Sequence, residues 1–220
     1  MYDFWYPISM ALEGTHIRFA LDFKEKMSVQ NLKHYVSGSI YPDSRYVTGI
    51  DRLATHPAEY KTDPMFHTSD FHKGWFMHLL CDELQGTAIR ETLPDAYAGE
   101  GKESWIKRTA IKILQDIDDA KQFELAAYLP ALAYIENPNG EDIEKLRTYN
   151  AIFRKMYVDP GNVTIDIACD VMWSNFSIGE DLVELVRAQS KKYEADTDKM
   201  THILRLYERM RALAETVNFG

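Results

Sequence analysis

Apolar residues recur every three to four positions over much of this chain, and the periodic stretches are separated by short ones with no period. From Met1 to about Gly14 there is no clear period, and a loop packing its aromatics on the core is expected. A short helix is expected from about His16 to Lys26, with Ile17, Phe19, Ala20 and Phe23 available for burial. Ser28 is a suitable N-cap for the next helix, where Val29, Leu32, Tyr35 and Val36 fall at helical spacing, and Pro42 should end it. Residues 44–68 are richer in Pro, Asp and Thr and read as an irregular crossing segment. Ser69 or Asp70 then caps a helix carrying Phe71, Trp75, Phe76, Leu79 and Leu80, which runs to about Thr92, ahead of Pro94.

Beyond the loop Pro94–Gly101, helical patterns cover roughly 103–135, broken near Pro130, then 141–157, 163–192 and 196–217. The last places Ile203, Leu206, Met210 and Leu213 on one stripe with Arg and Glu opposite, a core-facing face. No stretch alternates convincingly as a strand. The expectation is an all-α bundle of about seven or eight helices in one domain spanning 1–220. Its metal-site half covers about 14–92, and a helical completion covers about 102–217.

Composition agrees with helices. Apolar residues make up 45% and aromatics 12%, which excludes disorder, and 11 Gly with 8 Pro are too few for many tight β-turns. The net charge of −9 argues against general nucleic-acid binding. Cys81 and Cys169 read as two reduced core thiols. The N-terminal stretch lacks the basic and apolar regions of a secretory signal, and no run approaches the length of a membrane span, so the expected compartment is the cytoplasm.

The candidate chemistry lies in the first ninety residues. His78 and Asp82 are four apart on the expected helix, so an imidazole and a carboxylate share one face, a geometry suited to zinc or a similar divalent metal. The plain alternative is a histidine hydrogen-bonded to an acid one turn away. Asp43 follows a helix end at Pro42, and reads equally as a turn residue. His56 precedes Pro57 in extended backbone, and His16 opens the first helical pattern.

Together, Gly38-Ser39-Ile40-Tyr41-Pro42-Asp43, Thr55-His56 and Gly74-Trp75-Phe76-Met77-His78-Leu79-Leu80-Cys81-Asp82 resemble the zinc-dependent phospholipase C family and its S1/P1 nuclease relatives. The closest likeness is to the uncharacterised bacterial branch. The resemblance covers about residues 14–90 and implies an all-α, phospholipase C/P1 nuclease-like fold. It makes Asp43, His56, His78 and Asp82 ligands of one metal, with His16 on a neighbouring metal and Asp82 as a bridge. Fuller members add a further His after that helix and a downstream His-x-x-x-Glu. This chain has neither, so one or two ions are expected, zinc first, with manganese or iron open. Secreted members also use an N-terminal Trp; Trp5 is internal and is not carried over.

On this reading the chain is a metal-dependent hydrolase of a small-molecule phosphoester, with Asp43 or Asp82 taking the proton from an activated water. Arg45 is a candidate phosphate contact and His67 a candidate substrate contact. Asp198 and His202 repeat the one-turn spacing and are candidates for a second metal; His72 shares no face with His78, and His34 reads as structural. The competing reading is a non-catalytic, metal-stabilised binding or scaffold protein. An HD-type phosphohydrolase is excluded, because there is no adjacent His-Asp doublet. Residues 102–220 either complete the bundle or build a homodimer interface.

Overall fold

Helix starts follow the capping chemistry of the sequence. Asn31, Ser69, Asp142, Thr164 and Asp196 each accept a hydrogen bond from a backbone N–H of the turn they precede. The computed structural model describes residues 13–99, 101–176, 178–217 and 219; the expected N-terminal loop up to residue 12, with Trp5, lies outside them. Among the described residues, the helices of eight residues or more are α1 (Glu13–Asp22), α2 (Leu32–Ile40), α3 (Asp70–Thr92), α4 (Lys102–Gln122), α5 (Ile143–Tyr157), α6 (Ile165–Asn175), α7 (Glu180–Glu194), α8 (Thr197–Leu204) and α9 (Leu206–Ala214). Among the described residues there is no strand, so the all-α expectation holds. No helix among them is long and apolar enough to cross a membrane.

The helix count exceeds the expected seven or eight because two long patterns split. The 163–192 pattern breaks where Phe176 turns extended and buries its ring beside Phe153, so Gly179 starts α7 afresh. The 196–217 pattern bends at Arg205, between α8 and α9, and the bend keeps Ile203, Leu206 and Met210 all buried. The 103–135 pattern ends at Phe123 rather than at Pro130. Pro130 instead opens a 3₁₀ turn, Leu129–Ala133, where its missing N–H costs nothing. Ser28 is not the cap of α2: at φ 50° it is a turn residue, and Asn31 caps the helix.

The tightest crossing in the first half joins α2 to α3. A Cβ on Gly38 would lie 2.0 Å from the Phe71 carbonyl oxygen, and one on Gly74 would lie 2.0 Å from that of Tyr35. Only glycine permits this approach. The segment between them is irregular, as its composition predicts, apart from single turns at Tyr41–Ser44, Arg45–Thr48, Arg52–Thr55 and Pro64–His67. The Trp75 indole N–H donates to the Thr55 carbonyl at 2.7 Å and pins this segment to α3.

The second half closes over the first. α4 packs on α1 and α7, and α9 lies along α3. One core runs through both halves, with Trp75, Trp105, Tyr35, Tyr149, Tyr157 and Phe19 fully buried. Cys81 and Cys169 are buried free thiols, as expected.

Candidate metal centre

Four segments bring His16 (α1), Asp43 (the turn after α2), His56 (before Pro57) and His78 with Asp82 (α3) to one place. The His56 Nε2 lies 3.8 Å from Asp43 Oδ1 and 3.8 Å from Asp82 Oδ2. The His78 Nε2 is also 3.8 Å from Asp82 Oδ2, and His16 Nε2 is 3.9 Å from Asp82 Oδ1. These separations exceed a hydrogen bond, and they approach the spacing of two donors that share one ion at ~2.0–2.2 Å from each.

The ring nitrogens are set by their other partners. His78 Nδ1 is 3.0 Å from the Ser39 carbonyl, which can only accept, so Nδ1 carries the proton and Nε2 keeps its lone pair. The Thr55 hydroxyl lies 2.9 Å from His56 Nδ1 and 3.3 Å from the Arg52 carbonyl; with its proton on that carbonyl it accepts from Nδ1, which leaves His56 Nε2 bare as well. The buried His78 Nε2 has no hydrogen-bond partner, and neither ring nitrogen of His16 has one. Burial lowers the pKa of His16 and His56 well below the ordinary imidazole range, so both are neutral, the form a metal binds.

Carboxylates gather around these rings. Glu13, absent from the sequence-derived set, is buried with His16 and His78, and burial followed by the charge of Asp43 raises its pKa. Tyr149 donates to its other oxygen. The donor atoms of Glu13, His16 and His78 lie within 4.8 Å of one another, and so do those of Asp43, His56 and His78. Both sets can hold a metal ion. They share His78, whose single free nitrogen serves one ion at a time, so the two are alternatives around one ring. Burial also raises Asp43, against the opposing charge of Arg45 at 3.7 Å.

Asp82 behaves differently. Burial would raise it, but the Lys112 ammonium 2.9 Å from its Oδ1 holds the carboxyl well below its usual range. Lys112 projects from α4 and is buried. Its place in an otherwise apolar run, Ile111-Lys112-Ile113-Leu114, was the sequence signal for a paired interior charge. Two more buried acids of α4 support α1 from beneath. Asp116 accepts from the Thr15 backbone N–H at 2.7 Å and from Tyr157, and Asp119 accepts from the Thr15 hydroxyl and Arg18. Burial pushes Asp116 up to about 6 and Asp119 up to about 7. They fix the turn from which His16 projects.

Arg45 turns to Asp43 and stacks its guanidinium on Tyr46, 3.9 Å from the ring centroid. His67 is exposed in the Pro64–His67 turn, with its ring 5.7 Å from that of Phe76. Asp198 and His202 are exposed on α8, which packs on α4 and α7, and neither joins a metal-holding group among the described residues. His72 hydrogen-bonds Ser69, and His34 stacks on Tyr134 at 3.8 Å.

A cleft of about 520 Å³ opens onto the cluster. His56, Asp82 and Lys112 line its inner end, and Tyr60, Arg90 and Tyr97 stand farther along. Asp82 keeps 22% of its side-chain surface exposed there, so the cluster has one wet face. Comparison with protein-family models, with curated proteins and with solved structures finds no match to this chain.

Proposed function

We propose that this protein is a metal-dependent hydrolase of a phosphoester, in the manner of the zinc-dependent phospholipase C family that its motifs resemble. The ion would be held by Asp43, His56, His78 and Asp82, with His16 and Glu13 beside it. One observation carries this reading: the His16, His56 and His78 rings face carboxylate oxygens at 3.8–3.9 Å, the buried ring nitrogens of His16 and the His78 Nε2 have no hydrogen-bond partner, and the cluster has a wet face on a cleft. Buried nitrogens left without partners are costly, and several buried carboxylates are costlier still unless a cation joins them. Zinc suits this nitrogen–oxygen set best, with manganese and iron as alternatives.

A divalent ion held there supplies a Lewis acid for a phosphoryl oxygen and brings the ionisation of a water near neutrality. The chain's own groups do the rest. Asp43, whose pKa burial raises, and Asp82, which faces the cleft, are the carboxylates placed to take a proton from an attacking water. Lys112 offsets charge that builds on an oxyanion beside Asp82. The Ser39 carbonyl holds His78 in the liganding tautomer, and the Thr55 hydroxyl orients the His56 ring.

A structural role without turnover is the second reading, and the Lys112–Asp82 pair favours it, since that ammonium takes one carboxylate oxygen that a catalytic centre would leave free. Elemental analysis of purified protein and a phosphoester screen with and without chelator separate the two. About one divalent ion per chain and chelator-sensitive turnover are expected. In His78→Ala both should disappear; unchanged metal content in that variant would overturn the assignment. Bound metal with no turnover on any phosphoester would select the structural role.

A further inference from the structure

The chain is acidic, with 34 Asp and Glu against 25 Lys and Arg, yet the cleft outside the metal centre is lined by guanidinium groups. Arg52, Arg90 and Arg108 all border it. The two acids on its wall are already engaged: Asp82 pairs with Lys112, while Glu83 pairs with Lys61 at 2.6 Å and accepts from Tyr60 at 2.7 Å. Among the described residues, none of the three arginines has a carboxylate within ion-pair distance.

Two of these guanidinium groups are held in place by neutral partners. Tyr97 donates its hydroxyl to the Gly86 carbonyl at 2.9 Å, which fixes the ring against α3. The Arg90 guanidinium lies 4.6 Å from that ring's centroid and that of Arg108 lies 5.0 Å from it. One aromatic ring therefore gathers two like charges, and an anion placed between them would meet both. Arg108 spends its Nε on the Ser104 carbonyl, leaving its terminal nitrogens for another acceptor. The Arg52 Nε is buried without a hydrogen-bond partner. Planar guanidinium forks are suited to phosphate oxygens. Gly86, also on the wall, adds no side chain to the space.

We infer that Arg90 and Arg108, gathered on Tyr97, form a phosphate-binding site in the outer part of the cleft. On the hydrolase reading, on which only this extension rests, the substrate is a small molecule with a second phosphate beyond the ester that reacts. The cleft's size agrees with a small molecule, within the range of ~300–1,000 Å³ usual for such sites, rather than a polymer.

The test uses inorganic phosphate on the chelator-treated full chain, followed by calorimetry at low salt. Phosphate should bind, should weaken as salt rises, and should bind about ten-fold more weakly or worse in the Arg90→Gln/Arg108→Gln double variant. Arg209→Gln, whose arginine pairs with Glu91 and does not border the cleft, should bind as the unaltered chain does. Should the double variant fail to fold by circular dichroism, each single variant is read for a several-fold loss. Absence of phosphate binding to the unaltered chain, or equal binding by the folded variants, would overturn the site. Because no metal is present in this titration, a protein that binds phosphate but never retains a metal would sink the hydrolase reading and leave this site standing.

Discussion

Lys112 is 3% exposed, and in protein stripped of metal its ammonium keeps Asp82 ionised. Removing one partner of a buried ion pair costs ~3–5 kcal/mol, and the partial exposure of Asp82 lowers that to about 2–3 kcal/mol. Lys112→Met should therefore destabilise chelated protein by about that amount at neutral pH, and clearly less once a divalent ion is added, by urea unfolding under both conditions. Equal losses would show that the cation at Asp82 does not matter to the fold. Asp119 sets a pH dependence of its own. Its folded pKa is raised to about 7, above an unfolded value near 3.9, so the folded protein binds this proton more tightly. The contribution is complete below pH ~4 and is lost as pH rises to about 7. Asp119→Asn should remove that part of the decline between pH 4 and 7 in chelated protein; an unaltered stability–pH curve would count against the raised value.

The α2–α3 crossing shows what an element contributes to the site. Two glycines let these helices meet backbone to backbone, and this approach brings the Ser39 carbonyl onto His78. Overpacking typically costs ~1–3 kcal/mol and can cost more against unyielding backbone. Gly74→Ala should lose at least about 2 kcal/mol of stability in urea and should bind metal more weakly, because His78 loses its orienting carbonyl. Stability kept with metal binding unchanged would refute the role given to this crossing. The helices around it were readable in outline: α3 matches its expected limits from the Ser69 cap to Thr92. The split patterns were not, because apolar spacing continues through the bends at Phe176 and Arg205, and burial of Phe176 and Leu206 on the core decides the backbone there.

The centre draws its donors from α1, the crossing segment and α3, while α4 and α5 supply Lys112, Asp116, Asp119 and Tyr149 from behind. An ion bound there ties remote parts of the chain together and stabilises only the folded state. At a hundred times its dissociation constant it adds ~2.7 kcal/mol, which for a chain of this size raises the melting temperature by about 5–10 °C. Zinc should give this rise in the unaltered chain and not in His78→Ala, by calorimetry. An equal rise in both would place the metal elsewhere.

What the sequence determined alone was local: helical class, capped starts, the shared face of His78 and Asp82, and a motif order that nominated His16, Asp43 and His56. Those features depend on nearby residues, whose spacing is fixed by the pitch of a helix or the stop at a proline. The tertiary structure alone decided that Glu13 joins the donors, that Lys112 neutralises Asp82, and that Arg52, Arg90 and Arg108 share one cleft. It also left Asp198 and His202 exposed on α8, despite the same one-turn spacing that His78 and Asp82 have. Spacing along a helix sets which side chains share a face, and only the packing of the other helices decides whether that face is sealed inside with its charges or left to water.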